Sequence, residues 1–330
     1  MVCTKFAFAG FRHGHIFSLY NALLEREDIC ILGAWEADPA ARAQAEEKGV
    51  KFTYDSLDQL LADPDVEVVA IGDYYAARGN IALRALQAGK HVLADKPLCT
   101  SRKEAEAIEQ EAAKRGLAVG LMLDLRDNAQ WATVLDAVEN GIIGKINNII
   151  FEGQHPLMYG IRPGWYFEEG KHGGVINDIA IHAVDIVRLL THSDVDAVVG
   201  ARCWNFYAQQ EPGFGDSGQF VLRMGSSAGV MGDVSYSAPD GQLFSLPCYW
   251  HFRIWGEKGL LDFAYNQPEI TLYAKGEQGG RPLPLLENFT TYLDRFLAAL
   301  KTPENIPALN RENLASTCQT LWVQEVADGL

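Results

Sequence analysis

The first 123 residues alternate short apolar runs with stretches whose apolar positions recur three and four apart. Lys5–Ala9 reads as a strand, and Ile16, Leu19, Tyr20, Leu23 and Leu24 follow at helical spacing. Ile29–Glu36 is a second strand. Ala40–Glu47 is a helix with Pro39 near its start, Phe52–Tyr54 a short third strand, and Ser56–Leu61 a helix with a serine cap. Val66–Ile71 is the fourth strand, Asn80–Ala88 a helix, and His91–Ala94 the fifth strand. Arg102–Arg115 is a charged helix, and Leu117–Leu123 the sixth strand. Strand and helix alternating this strictly predict an α/β domain with a doubly wound parallel sheet, residues 1–123.

Past Asp124 the pattern changes. A helix, Asn128–Glu139, leads to a strand, Ile146–Glu152, and then to Gln154–Phe167, a loop rich in glycine, proline and aromatics. Such loops often carry ligand contacts. After a helix over Gly173–Asp185, strand-like runs follow with few helices between them: Ala197–Phe206, Gln219–Met224, Gly229–Tyr236, Tyr249–Gly256, Leu260–Tyr265 and Ile270–Ala274. Trp250, Phe252 and Ile254 alternate with His251, Arg253 and Trp255, the signature of a sheet with two different faces. Two amphipathic helices, Asn288–Leu300 and Arg311–Ala327, close an α+β second domain, residues 124–330.

Composition narrows the function. Of 330 residues, 48% are hydrophobic, enough for two cores. No apolar run approaches the roughly 20 residues of a membrane span, and Met1–Gly10 does not read as a signal peptide. A net charge of −15 argues against a nucleic-acid binder. The six cysteines are scattered with no C-x-x-C pair, so neither a zinc ribbon nor a disulfide framework is expected, and a cytoplasmic location is.

Three stretches carry candidate chemistry. The fifth strand breaks into Asp95-Lys96-Pro97. Pro97 keeps Lys96 out of the helical region, so the strand ends sharply and Lys96 stands at the carboxyl edge of the sheet, where ligands bind. The first strand ends in Gly10-Phe11-Arg12-His13-Gly14-His15. Gly10 suits the tight turn of a dinucleotide site, but Arg12 and His15 stand where G-x-G-x-x-G has glycine. Arg12 can instead pair with a phosphate by charge. Glu36, closing the second strand, can accept from both ribose hydroxyls and would repel a 2′-phosphate, which favours NAD over NADP. In the second half, Asp178, His182 and Asp185 share one helical face, an acid and an imidazole able to fix each other's protonation state. A buried polar pair on a packing helix is the plainer alternative. A metal site from His155, His172, Asp178 and His182 lacks any H-x-x-x-H or H-E-x-x-H spacing, so no metal is expected.

These elements occur in a telling order: strand–Gly–helix–strand–acid, then acid-Lys-Pro after the fifth strand, then Gly-Gly-x-x-x-Asp-x-x-x-His-x-x-Asp. Asp63-Pro64-Asp65-Val66 and Ala88-Gly89-Lys90-His91-Val92 precede the fourth and fifth strands. The chain thereby resembles the Gfo/Idh/MocA family, named for glucose–fructose oxidoreductase and inositol dehydrogenase, over essentially its whole length. The resemblance implies an N-terminal Rossmann domain and a C-terminal domain with a largely antiparallel sheet. It implies NAD, with NADP the alternative, and hydride exchange with a sugar, sugar derivative or cyclitol hydroxyl. Lys96, Asp178 and His182 match the family's catalytic lysine, aspartate and histidine. Cofactor contacts are expected from Gly10, Phe11, Arg12, His13, Gly14, His15, Glu36, Asp73, Tyr74, Arg78, Asp95, Lys96 and Pro97. Substrate contacts are expected from the catalytic three with His155, Arg162, Trp165 and Tyr166, though the last two read equally well as core plugs. Arg78 stands where the family usually has a histidine, and the turn after the fourth strand lacks the usual Pro-Asn. A silent ligand-binding protein on this scaffold, or a lyase or glycosidase that retains NAD, are the alternatives. A sheet face free of helices in the second domain implies a homodimer or homotetramer.

Overall fold

The computed structural model describes residues 3–329, so Met1 and Val2, the start of the stretch that does not read as a signal peptide, and Leu330 lie outside the described residues. The chain forms two compact units, each discontinuous in sequence. The first takes the chain up to Met122 together with Pro163–Gly173 and Tyr292–Thr317; the second takes Leu123–Arg162, Gly174–Thr291 and the stretch from Cys318. Two consecutive domains, 1–123 and 124–330, were the expectation. Two later segments instead return to the first unit.

In the first unit five parallel strands, β1 (Thr4–Ala9), β2 (Ile29–Trp35), β3 (Val68–Ile71), β4 (His91–Ala94) and β5 (Val119–Leu121), lie in the order β2-β1-β3-β4-β5. The expected strand at Phe52 shrinks to one parallel bridge, Ala34 to Phe52, outside β2. Counting that bridge, the strand order is that of the Rossmann sheet with its third strand reduced to a single contact. The central strands read as unbroken apolar runs because helices cover both faces: every residue of Phe6–Ala9, Val68–Ile71 and Val92–Ala94 is 0% exposed. The helix His15–Leu24 buries Ile16, Leu19, Tyr20 and Leu23. The helix Arg102–Arg115 starts on Ser101, whose hydroxyl accepts from Glu104 N, and stops at Gly116 with φ 65°.

The helix Tyr292–Lys301 belongs here because it inserts Leu293, Phe296 and Leu297 into the core of β1, β3 and β4. Gly120 of β5 gives Phe296 its room; an added Cβ would stand 2.6 Å from that ring. Arg26–Asp294 and Lys301–Asp28 pairs tie its ends down. Cys3 and Cys30 are joined by a disulfide, which corrects the expectation of none. The register brings them within reach: Lys5 pairs with Cys30 across the parallel strands, and Cys3, two residues before Lys5 and so on the same side of the chain, lies diagonally opposite Cys30 at a Cα–Cα distance of 5.7 Å.

The second unit is built on an eight-stranded sheet: β6 (Ile146–Pro156), β7 (Val195–Trp204), β8 (Ser217–Met224), β9 (Gly229–Ala238), β10 (His251–Gly256), β11 (Gly259–Ala264), β12 (Ile270–Ala274) and β13 (Arg281–Leu283). Their order is β13-β12-β11-β10-β6-β9-β8-β7, antiparallel throughout except for β6 beside β9. β13 is three residues with a proline, too short to register as periodicity. Alternation sorts the two faces as expected. Phe252 and Ile254 are buried, and Trp131 of the helix Ala129–Glu139 meets Phe252 and Phe263 edge-on at 4.7 and 5.0 Å. The opposite face exposes Val199, Val221, Met231, Trp255 and Tyr273. β6 runs on to Pro156, so His155 is a strand residue rather than part of the loop. Among the described residues no helix is long and apolar enough to cross a membrane.

Candidate active site

At the carboxyl edge of the parallel sheet, the turns after β1, β3 and β4 touch one another. Gly10, with φ +89°, lets the first turn close against the third strand's end: an added Cβ would lie 2.7 Å from Asp73 N. The next residue, Phe11, sends its ring into the core against Phe8, Tyr20 and Phe52. Its backbone N–H points the other way and donates to Glu36 Oε2 at 2.6 Å, while Asp38 N donates to Oε1 at 2.8 Å. Burial pushes the Glu36 carboxyl up, and these two N–H groups oppose that. Each oxygen keeps a lone pair, so the ribose role expected of Glu36 stays chemically available. Arg12 faces Asp38 at 3.6 Å and lies over the Tyr74 ring at 5.6 Å. Gly14 precedes the helix His15–Leu24 with open space where a side chain would go. A tight turn, an open helix start and a fixed carboxylate at the second strand's end are what a dinucleotide needs.

Asp95, fully buried, gathers the rest. His13 Nδ1 lies 2.5 Å from its Oδ2, and Arg78 Nη2 donates to the same oxygen at 2.9 Å; His15 Nδ1 stands 3.5 Å from Oδ1. Burial alone would push the Asp95 carboxyl up, but the positive charge of Arg78 and the His13 contact prevail and hold it well below the usual range. Burial lowers the His13 imidazole to about 4, so at neutral pH the ring is uncharged, with Tyr75 OH 3.3 Å from its Nε2. Lys96 is 4% exposed, directly between Asp95 and Pro97.

His13, His15 and Asp95 offer three possible metal ligands within 4.8 Å of one another. Their chemistry would suit zinc, but the donors do not fit: the His13–Asp95 hydrogen bond leaves no room between them, and the Arg78 charge already sits on the carboxylate.

Trp165 and Tyr166, expected to touch substrate, lie in the segment that joins the first unit. Both are 2% exposed. Trp165 Nε1 donates to Arg12 O at 3.0 Å, its ring meets Tyr75 edge-on at 4.9 Å, and the Tyr166 hydroxyl is 2.8 Å from that of Tyr75. His172 packs on Tyr75 and Tyr166 in the same cluster.

In the second unit, Asp178 lies in a single π-helical turn, Ile176–Ala180, that opens the helix Ile181–Thr191 carrying His182 and Asp185. Such turns re-aim side chains and occur often at functional sites. The turn is held by Gln324 Oε1, which accepts from Ile176 N at 2.9 Å and Asn177 N at 3.1 Å. The Tyr236 hydroxyl of β9 donates to Asp178 Oδ2. Asp124 Oδ1 lies 3.8 Å from His182 Nε2, and the Trp250 ring is 6.1 Å from the imidazole. Trp250 has φ +49°, an uncommon backbone for a bulky residue, while 2% exposed. Asp185 is paired instead with Arg126 at 2.9 Å, both buried. Arg162 donates to Leu157 O and Pro156 O and lies over the Tyr236 ring at 4.9 Å; His155 Nε2 is 3.3 Å from Tyr249 OH. Tyr236 and Asp124 had no motif to announce them; Tyr236 sits in a strand whose only sequence signal is alternation.

Two family models match the chain. One, described as "Oxidoreductase family, NAD-binding Rossmann fold", covers residues 4–122; the other, the GFO/IDH/MocA C-terminal domain, covers 131–262. Myo-inositol 2-dehydrogenase of Thermotoga maritima is 26% identical over 293 residues, 88% of this chain and 84% of its own. A 1,5-anhydro-D-fructose reductase of Ensifer adhaerens is 32% identical over 154 residues, 46% of either chain, so the match spans about half of that relative. In fold, the chain superposes on a putative oxidoreductase from Erwinia carotovora atroseptica SCRI1043 with a TM-score of 0.87, covering 98% of both chains at 22% identity.

Proposed function

Because the chain belongs to the GFO/IDH/MocA family of oxidoreductases with an NAD-binding Rossmann domain, we propose that it moves a hydride between NAD and a ring hydroxyl carbon of a sugar, sugar derivative or cyclitol. Bound nicotinamide supplies the hydride acceptor. The observation that carries the proposal is Lys96, a buried ammonium at the end of β4 on the same sheet edge as the Gly10 turn and Glu36. In this role Lys96 hydrogen-bonds the reacting oxygen and stabilises the charge that develops there. His182 takes the hydroxyl proton, and Asp178, anchored by Tyr236, orients the polar group of the substrate beside it. Glu36 receives the adenosine ribose, and with Asp38 near Arg12 the carboxylates disfavour a 2′-phosphate, hence NAD before NADP. The cyclitol class draws support from the inositol dehydrogenase to which 88% of this chain aligns. Calorimetry with NAD and NADP, then a polyol panel followed at the absorbance of reduced nicotinamide, tests this; failure to bind either cofactor would refute it. The exposed sheet face supports a homodimer or homotetramer, which sedimentation measures.

A further inference from the structure

The sequence placed Arg78 among cofactor contacts, yet the protein itself engages its guanidinium on three sides. Arg78 is 0% exposed. Its Nε donates to Asp73 O at 2.7 Å, Nη1 to Pro97 O at 3.0 Å and Nη2 to Asp95 Oδ2 at 2.9 Å, while the Tyr75 ring backs it at 4.7 Å. Asp73 belongs to the turn after β3. Asp95 and Pro97 are the two neighbours of Lys96 after β4. A buried arginine is costly unless every donor edge is used, and its planar fork fixes the acceptors it joins in a way that a lysine ammonium does not.

We propose that Arg78 is the positioning residue for Lys96: its guanidinium clamps both neighbours of the lysine to the end of the adjacent strand and so sets where the ammonium stands. The role rests on Lys96 acting on the reacting oxygen, as proposed above, and goes beyond it by naming what holds that lysine in place. His13 supports the same clamp from the other side, through its bond to Asp95 Oδ2.

The test uses the full chain and a readout independent of turnover. Lysines are methylated with formaldehyde and borohydride, and rates at Lys96 and Lys90 are followed by mass spectrometry. Lys90 is the internal control: it immediately precedes the same strand, is 7% exposed, and its ammonium donates to Asp63 O and Val66 O, away from Arg78. In Arg78→Met the ratio of Lys96 to Lys90 modification rises about tenfold, as local opening at one turn requires. General loosening raises both rates and leaves the ratio unchanged, and that result overturns the proposal. Arg78→Lys keeps the charge but not the fork; its ratio also rises. If it matches the wild type, Arg78 merely neutralises Asp95 and the clamp is refuted. Should Arg78→Met fail to fold, Arg78→Lys decides alone. In turnover, Arg78→Met lowers kcat about 100-fold per NAD-binding site, the cost of misplacing a catalytic group, with KM and NAD affinity within about threefold. A Lys96→Met variant that still turns over would remove the role of Lys96 while leaving the modification ratio to judge the clamp.

Discussion

Acidification exposes the buried His13–Asp95–Arg78 cluster to a measurable test. The unfolded imidazole takes up a proton near 6.5, whereas folded His13 refuses it until about 4, chiefly because it is buried. Between those values the unfolded state binds more protons, so stability falls as pH falls. Folding retains the full benefit above 6.5 and loses it by about 4. Linkage over that interval gives a loss of about 2 kcal/mol between pH 7 and pH 5 from this one residue. Asp95 adds to the fall only lower, since its carboxyl lies well below 3.8 and its contribution disappears as pH drops through that folded value. The comparison is wild type against His13→Gln, whose amide can still donate to Asp95. Two units need not unfold together, so local stability of β1 and β4 is followed by urea titration at each pH with pulse-labelling hydrogen exchange at a common pH. Wild type loses about 2 kcal/mol more than the variant between the two conditions. Equal losses in the two proteins would refute the burial argument for His13.

Other outcomes follow from the same geometry. Lys96→Met lowers kcat by about 100- to 1,000-fold while NAD still binds by calorimetry, because the lost donor acts on developing charge. Tyr236→Phe leaves Asp178 without its phenolic donor and lowers kcat/KM about tenfold with little change in melting temperature. Gly10→Ala destabilises the first unit by about 1–3 kcal/mol in thermal unfolding, since its φ of +89° and the Asp73 backbone leave a Cβ no place. Glu36→Ala weakens NAD binding and narrows the preference over NADP, measured by titration with each cofactor.

How much of this was legible in the chain depended on range. Every strand of the two sheets except β13 could be placed within a few residues, because a strand buried on two faces must be apolar throughout and one buried on one face must alternate. Phe52 misled: three suitable residues formed only one bridge, since a neighbouring strand needs length as well as composition. The helix expected from Asn288 begins at Tyr292, and the last helix starts at Ile306 rather than Arg311. Lys96, Asp178 and His182 could be singled out because each stands at a motif. The partners that hold the site could not.

The local pattern of this sequence therefore determined the class of its elements, the turn at Gly10 and the abrupt stop at Asp95-Lys96-Pro97. Period and turn chemistry act over a few residues and are written in the residues themselves. Only the folded chain decided that His13 meets Asp95 across 82 residues, Tyr236 meets Asp178 across 58, and Trp165 bonds to Arg12 across 153. Cys3 facing Cys30, and Arg78 turned inward on three acceptors rather than outward to a ligand, belong to the same group. Such contacts are set by strand order, register and the need to pair every buried charge, and none of these leaves a periodic trace along the chain.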